Sequence, residues 1–224
     1  MRRIDELVEA AARDKGRLAS PALTPAIRKS VERTVRLLGR EAARLRAQAD
    51  ELVATTPALR ADRELLETIP GVGQRTAEVL VAEIGTDLSR FPNAEHLASW
   101  AGMCPGNAES GGKRHSGRIG KGNTYRRRVM IEAAWAAARI TRSRTFFTTL
   151  FFRISRRAGM KKAAVAVAHR LLQVVYLMLR DGTPYREQGA DYFDRLHPER
   201  TRDRLKARLE SLGFEVALTP KTPA

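Results

Sequence analysis

The stretch from Leu65 to Ala77 reads LLETIPGVGQRTA, and its order of residue types predicts two helices joined by a tight turn. The first helix ends in the run IPGVG at residues 69–73, because proline cannot continue a helix and glycine tolerates positive φ. The second helix is predicted over Gln74 to Ile84. This pattern is typical of a helix-hairpin-helix, and a plain αα-hairpin with a glycine turn is the alternative.

A helix-hairpin-helix would bind a phosphate group. Gly71 and Gly73 would let the backbone come close to the anion. The free amides and the positive dipole end at the start of the second helix would face that anion. Contacts of this kind position a protein on DNA without reading its bases. We therefore predict Gly71 and Gly73 as DNA-binding residues.

Apolar periodicity predicts helices on both sides of this turn. They are expected over residues 4–14, 26–54, 59–68, 96–101, 124–141, 145–157 and 161–180, with one more at 199–212. No segment has a convincing strand pattern, so the predicted fold class is all-α. We divide the chain into a helical segment (1–56), a helical domain with the hairpin (57–186) and a polar tail (187–224).

The longest predicted helix has apolar residues at steps of three, four and seven between Ile27 and Leu52, with charged residues between them. Such spacing is compatible with one half of a coiled coil, which would make a homo-oligomer through residues 27–54. It is equally compatible with packing on the rest of the same chain, since the seam is rich in alanine. Both alternatives stay open.

The charge balance favours a polyanionic partner. The chain has 41 Lys and Arg against 25 Asp and Glu, a net charge of +16. Residues 111–162 hold fifteen Lys or Arg and a single acid, Glu132, and residues 102–123 hold seven of the 16 glycines. A long basic Gly-rich loop of this kind predicts a clamp on nucleic-acid phosphates. A solvated charged face is the alternative.

Other composition signals exclude some classes of site. The one cysteine, Cys104, excludes an intramolecular disulfide and a Cys-rich zinc site. The four histidines show no ligand spacing, so we predict no metal site. The most apolar stretch, residues 163–179, is interrupted by charged and polar side chains, so we expect a core helix, no membrane partner and a cytoplasmic location.

Two serines, Ser110 and Ser116, lie in the basic loop. A hydroxyl among cations attacks a phosphodiester only if another group takes its proton. From composition alone, either serine is better explained as a hydrogen-bond donor to phosphate. No cluster of Asp and Glu indicates a two-metal nuclease.

Five blocks of this sequence, in order, resemble the C-terminal transposase domain of the insertion sequence 110 family, over about residues 60 to 185. They are residues 65–77, 91–94 with 97–98, 101–105, 110–111, and 121–123 with Arg126. In that family a RuvC-like domain supplies acidic metal ligands and the C-terminal domain supplies a serine. Together they cut and rejoin DNA, guided by a structured RNA.

The resemblance implies that Ser110 attacks DNA and forms a phosphoserine. It further implies that five basic residues hold the backbone phosphates around it: Lys113, Arg114, Arg118, Lys121 and Arg126. It implies DNA and a guide RNA as partners, in the nucleoid of a bacterial or archaeal cytoplasm. It assigns Mg²⁺ to the RuvC-like domain, so no cofactor is expected in this chain.

Nothing before residue 27 resembles a RuvC-like domain. We therefore expect a serine-dependent transposase in truncated or split form, which needs that domain for activity. The alternative is a non-catalytic DNA-binding protein that uses the hairpin and the basic loop.

Overall fold

The computed structural model describes residues 1–104, 122–140 and 144–219 in full, and the backbone of residues 108–110 and 113–116. Helices dominate this part of the chain, which confirms the all-α prediction. The elements in chain order are α1 (Arg2–Arg17), α2 (Pro25–Thr55), α3 (Pro57–Glu67), α4 (Gln74–Ile84), α5 (Ala94–Trp100), β1 (Ala108–Ser110), β2 (Lys113–Ser116), α6 (Thr124–Ala138), α7 (Phe146–Ala158), α8 (Met160–Asp181), α9 (Tyr192–Leu196) and α10 (Pro198–Glu210).

Helix α8 is the centre of the core. It packs against α3, α5, α6 and α7, and nine of its residues are buried. Each buried Leu or Val side chain contributes about 1.5–3 kcal/mol relative to exposure. Within the described residues, Met160–Asp181 is also the one helix long and apolar enough to cross a membrane, and half of its apolar window is buried inside the protein. Its burial confirms the predicted core helix.

The turn between α3 and α4 is held by apolar burial and by a close backbone contact. Ile69 and Val72 are buried, and the Val72 amide donates to the Ile69 carbonyl at 3.0 Å. Gly71 has a φ of +88°, and a Cβ there would lie 2.4 Å from the backbone nitrogen of Ala137 in α6. Only glycine therefore fits at this position, because the turn rests directly on α6.

Helices α1 and α2 pack against each other, and the predicted proline-containing break at residues 20–25 connects them. Thr24 caps α2 by accepting from the Ile27 amide, and Arg28 donates to the Leu18 carbonyl at 2.7 Å. The apolar seam of α2 packs on α1 and reaches α3, so the packing alternative is present in the structure. Ile27 and Leu52, at the two ends of the seam, stay about half exposed. Oligomerisation through residues 27–54 remains a prediction.

Two expectations are corrected by the fold. The interval 102–123, predicted as an uninterrupted loop, contains β1 and β2, which pair in antiparallel fashion. In the tail, α10 corresponds to the helix predicted at 199–212, but α9 precedes it. Helix α9 forms where Tyr192 and Phe193 pack their rings on Phe146 of α7, with centroids 5.1 and 5.5 Å away. A contact between such distant residues leaves no local pattern.

We predict that Gly71→Ala lowers the free energy of unfolding by at least about 2 kcal/mol, since it combines unfavourable φ with a clash against α6. Gly39→Ala is the matched control, because Gly39 lies inside α2 with open space around its Cα. It should raise stability by about 0.5–1 kcal/mol. Urea denaturation measures both. Equal stability of Gly71→Ala and the parent protein would contradict the packing account.

Candidate nucleic-acid interface

The segment that contains the predicted nucleophile enters and leaves the helical domain at one point. Gly102 follows α5 and Gly122 precedes α6. A Cβ on Gly102, whose φ is +70°, would lie 2.5 Å from the Gly122 Cα, and a Cβ on Gly122 would meet Gly102 at the same distance. The two glycine backbones are therefore in direct contact and close the base of the segment.

Within this segment, β1 and β2 set the register of the predicted site residues. Ser110 is paired with Lys113, and Glu109 with Arg114. A bulge lies between Ala108 and Glu109, and Ala108 pairs with Ser116. Ser110 and Ser116 therefore lie at opposite ends of the ladder. Only the backbone is described for these residues, and Arg118 and Lys121 lie outside the described residues.

Asn123 fixes the start of α6. Its side-chain oxygen accepts from the amides of Tyr125 at 2.9 Å and Arg126 at 3.3 Å. Asparagine is among the strongest N-cap residues, because it satisfies amides that have no partner inside the helix. The cap begins α6 directly after the glycine contact.

Arg126, predicted to bind phosphate, has several partners inside the protein. Its guanidinium lies 3.6 Å from the ring centroid of Trp100 and donates to the Trp100 carbonyl at 3.3 Å. It also lies 3.7 Å from Glu83, and its side chain is 18% exposed. Burial lowers the Arg126 pKa, and the nearby Glu83 charge opposes that effect. These contacts give Arg126 a structural role, joining α6 to α4 and α5.

The first turn of α4 is exposed, as a phosphate site requires. Gly73 is its N-cap, and no side chain caps the free amides that follow. A Cβ on Gly73 would meet nothing within 4 Å, so the backbone here is open to an approaching group. Gly71 is different, since α6 covers it. The structure thus separates the two glycines of the motif into one packing position and one open position.

Acidic residues of α1 bind the arginines beside this turn. Asp5 forms an ion pair with Arg75 and lies 4.0 Å from Arg128, and it accepts from the Tyr125 hydroxyl at 2.8 Å. Arg128 also pairs with Glu9. The basic residues at the start of α4 and in α6 are therefore partly neutralised within the chain.

A second basic surface is a groove between α7 and the tail. Its volume is about 550 Å³, and it is lined by Arg144, Thr148, Thr149, Phe152, Arg153, Arg156, Ala190, Phe193, Asp194 and Arg204. Within the described residues, neither Arg153 nor Arg156 forms an ion pair. Phe152 is half exposed, and Arg153 lies 4.9 Å from the Phe193 ring centroid. Four arginines and two aromatic rings around one groove match the side chains that bind nucleic acids.

No residue of this groove was predicted as a binding residue from the sequence. The arginines of α7 lie in the basic stretch, but Arg204 and Phe193 come from the tail. Phe193 and Arg204 could not be connected with α7 from the sequence, because they lie about forty residues further along the chain and follow no common periodicity with it.

Within the described residues, one group has ligand types that suit a metal ion: Glu95, Cys104 and His169, with ligand atoms within 4.8 Å of one another. Burial, together with the nearby Glu95 charge, raises the Cys104 pKa. The thiol is therefore protonated at neutral pH when no ion is bound.

Comparison with known proteins gives the family. Residues 63–148 match the model of the transposase IS116/IS110/IS902 family. This part of the chain is therefore similar to the transposase domain of that family. The transposase domain begins in α3 and contains the α3–α4 turn, the glycine contact, β1, β2 and the first residues of α7.

Relatives of the chain have names related to transposition and inversion. An insertion element IS110 protein of Streptomyces coelicolor is 35% identical over 143 residues, which cover 63% of this chain and 33% of the relative. The pilin gene-inverting protein of Moraxella bovis is 28% identical over 173 residues, 76% of this chain and 53% of that protein. A transposase for insertion sequence element IS1111A of Coxiella burnetii is 31% identical over 127 residues, 56% and 35% of the two chains. The chain thus spans between a third and just over half of the length of these relatives.

We predict that Arg126→Gln lowers the free energy of unfolding by about 1–3 kcal/mol, because it removes a charged hydrogen bond, an ion pair and a ring contact from a mostly buried site. Arg139→Gln is the matched control at the C-cap of the same helix, since Arg139 is exposed and lies 5.6 Å from the Trp135 ring centroid. Its change should stay below about 1 kcal/mol. An Arg126→Gln protein of unchanged stability but weakened DNA binding would show that Arg126 acts on DNA instead.

Proposed function

We propose that this chain is the serine-bearing part of a DNA transposase, with Ser110 as the nucleophile. The observation that carries the proposal is the register of the β-hairpin, in which Ser110 lies opposite Lys113 and beside the Glu109–Arg114 pair. Opposite residues of an antiparallel ladder are neighbours across the strands. Lys113 is therefore the cross-strand neighbour of Ser110, and Arg114 is the cross-strand neighbour of Glu109.

The chemistry would proceed by transesterification. The Ser110 oxygen attacks a DNA phosphorus atom, an oxygen–phosphorus bond forms, and the bond from phosphorus to one deoxyribose oxygen breaks. The released oxygen takes a proton and becomes a hydroxyl, while the serine proton passes to a base. The phosphoserine ester keeps the bonding of the original phosphodiester, so a second DNA hydroxyl can attack it and rejoin the strand.

The cations around Ser110 would stabilise the negative charge that develops on the phosphate. Lys113, opposite Ser110 in the ladder, supports this role, and Arg114, Arg118 and Lys121 follow it in the sequence. Preorganised positive groups stabilise a developing anion more strongly than water does, because they need no reorientation during the reaction. The glycine contact at the base of the segment supports that preorganisation.

DNA binding would use the α7 groove and the open amides at the start of α4. The groove arginines Arg153 and Arg156 have no acidic partner in the described part of the chain, so they are available to phosphates. Gly73 and the amides after it would add one phosphate contact of the helix N-terminus type. Arg75 contributes less, since Asp5 already binds it.

The Mg²⁺ that the family implies does not fit the described residues of this chain. Asp5, Glu78 and Glu83, which are the carboxylates near the α3–α4 turn, are engaged by arginines. The one metal-type cluster contains a thiol, whereas Mg²⁺ prefers oxygen ligands. Acidic ligands would come from a RuvC-like partner domain, and a structured guide RNA and nucleoid DNA in the cytoplasm complete the proposed assembly.

We predict that Ser110→Ala abolishes strand exchange when this chain is combined with the acidic domain, its guide RNA and donor and target DNA. The covalent protein–DNA adduct on a denaturing gel should disappear, because no other hydroxyl takes this position. DNA binding measured by gel shift should change less than about threefold, since the variant keeps every cation. Ser116→Ala, at the far end of the ladder, is the control and should keep both adduct and exchange.

Persistence of the adduct in Ser110→Ala would overturn the assignment of the nucleophile. A parent protein that binds DNA tightly in the complete system yet gives no adduct would favour the rival function, a DNA-binding protein without chemistry.

We also predict a steep salt dependence of DNA binding, which the groove arginines help to set. Each neutralised phosphate contributes about 0.9 to the slope of log K against log salt. The double variant Arg153→Gln with Arg156→Gln should therefore flatten that slope by about 2. Arg33→Gln with Arg36→Gln is matched in charge and spacing on exposed α2 and should leave the slope unchanged. Equal slopes for the two double variants would remove the groove from the interface.

A further inference from the structure

We propose that Glu95, Cys104 and His169 form a zinc site that ties the segment leading to Ser110 to the core helix α8. Glu95 lies in the first turn of α5, Cys104 lies four residues after α5 ends, and His169 lies in the middle of α8. Three separate positions of the chain therefore meet at one point. The site is independent of the DNA-binding groove and of the β-hairpin ladder.

The distances suit a tetrahedral ion after a small contraction. The ligand atoms of the three residues all lie within 4.8 Å of one another. His169 Nε2 is 3.5 Å from a Glu95 carboxylate oxygen, and the Cys104 thiol donates to the Glu95 carbonyl at 3.8 Å. Ligands bound to zinc at about 2.0–2.3 Å are separated by roughly 3.3–3.8 Å in a tetrahedron.

The donor set selects the metal. One thiolate, one imidazole and one carboxylate are the ligand types that zinc accepts, and the thiolate disfavours Mg²⁺ and Ca²⁺. Three protein ligands leave the fourth position to water. Glu95 is exposed enough for that water and for entry of the ion.

One further observation points to the carboxylate as a ligand. The Glu95 carboxylate accepts from the Gln173 amide, and Arg170 donates to the Gln173 side-chain oxygen at 2.9 Å. Such a chain of outer hydrogen bonds orients a carboxylate as it does around known metal ligands.

The consequence for the fold is a second anchor on the segment that begins at Gly102. Cys104 is two residues beyond the glycine contact and six residues before Ser110. An ion that binds the folded chain more tightly than the unfolded chain stabilises it in proportion to the logarithm of its concentration. Zinc would therefore raise the melting temperature and hold the entry to β1 against α8.

The test is a titration of the chelator-treated full chain with Co²⁺ and Zn²⁺. Because Cys104 is the one cysteine of the sequence, a thiolate-to-cobalt charge-transfer band reports this residue alone. We expect the band to reach its plateau at one Co²⁺ per chain and to disappear on addition of Zn²⁺. Competition with a chromogenic chelator then gives the zinc affinity.

Variants separate the site from adventitious binding. Cys104→Ser should remove the cobalt band, and His169→Gln and Glu95→Gln should each weaken zinc binding at least tenfold. Glu95→Gln affects an exposed side chain, so it keeps the proposal testable if the other two variants fail to fold. His197→Gln, an exposed histidine of the tail, is the control and should leave the affinity unchanged. Absence of the band in the parent chain, or equal zinc affinity of Glu95→Gln and His197→Gln, would overturn the proposal.

Discussion

The contact between Gly102 and Gly122 is the constraint on which the proposed site depends. The chain leaves α5 at the first glycine and enters α6 at the second, and no side chain fits between the two backbones. This contact holds together the two ends of a segment of about twenty residues. The entropic cost of closing that loop is therefore met by the packing of the two glycines. The Asn123 cap and the packing of Arg126 on Trp100 then fix α6 against the same point.

Electrostatics divides the arginines of this basic chain into two groups. One group is bound by acids inside the fold: Arg2 and Arg126 by Glu83, Arg46 by Glu78, and Arg75 and Arg128 by Asp5. These pairs join α1, α2, α4 and α6, and they reduce the self-repulsion that a net charge of +16 imposes. A second group lies around the α7 groove, where Arg204 pairs with Asp194 but Arg153 and Arg156 form no ion pair within the described residues. These two unpaired arginines would gain most from a polyanion.

The sequence predicted what local rules control. Helix α4 was expected over Gln74 to Ile84 and has those bounds, because the preceding Pro-Gly turn and the following Gly85 define both ends. The strands were missed because they are three and four residues long and carry no apolar alternation, although Gly111-Gly112 between them is a hairpin signal. The partners of Arg126 could not be predicted, since a paired and an unpaired arginine look alike in a sequence. The meeting of Glu95, Cys104 and His169 is equally hidden, because their separation along the chain matches no ligand spacing.

Gly71 and Gly73 belong to one sequence motif, but tertiary packing gives them different surroundings. Gly71 has positive φ and rests on Ala137, so its role is explained without any ligand. Gly73 is open and precedes uncapped amides, so it keeps the chemistry of an anion site. A phosphate at those amides meets Arg75 already bound to Asp5, and it must compete with that carboxylate for the guanidinium. The start of α4 therefore contributes less to affinity than an open helix terminus with a free arginine would. In the proposed interface the larger share falls to Arg153 and Arg156 of the α7 groove, which form no ion pair within the described residues.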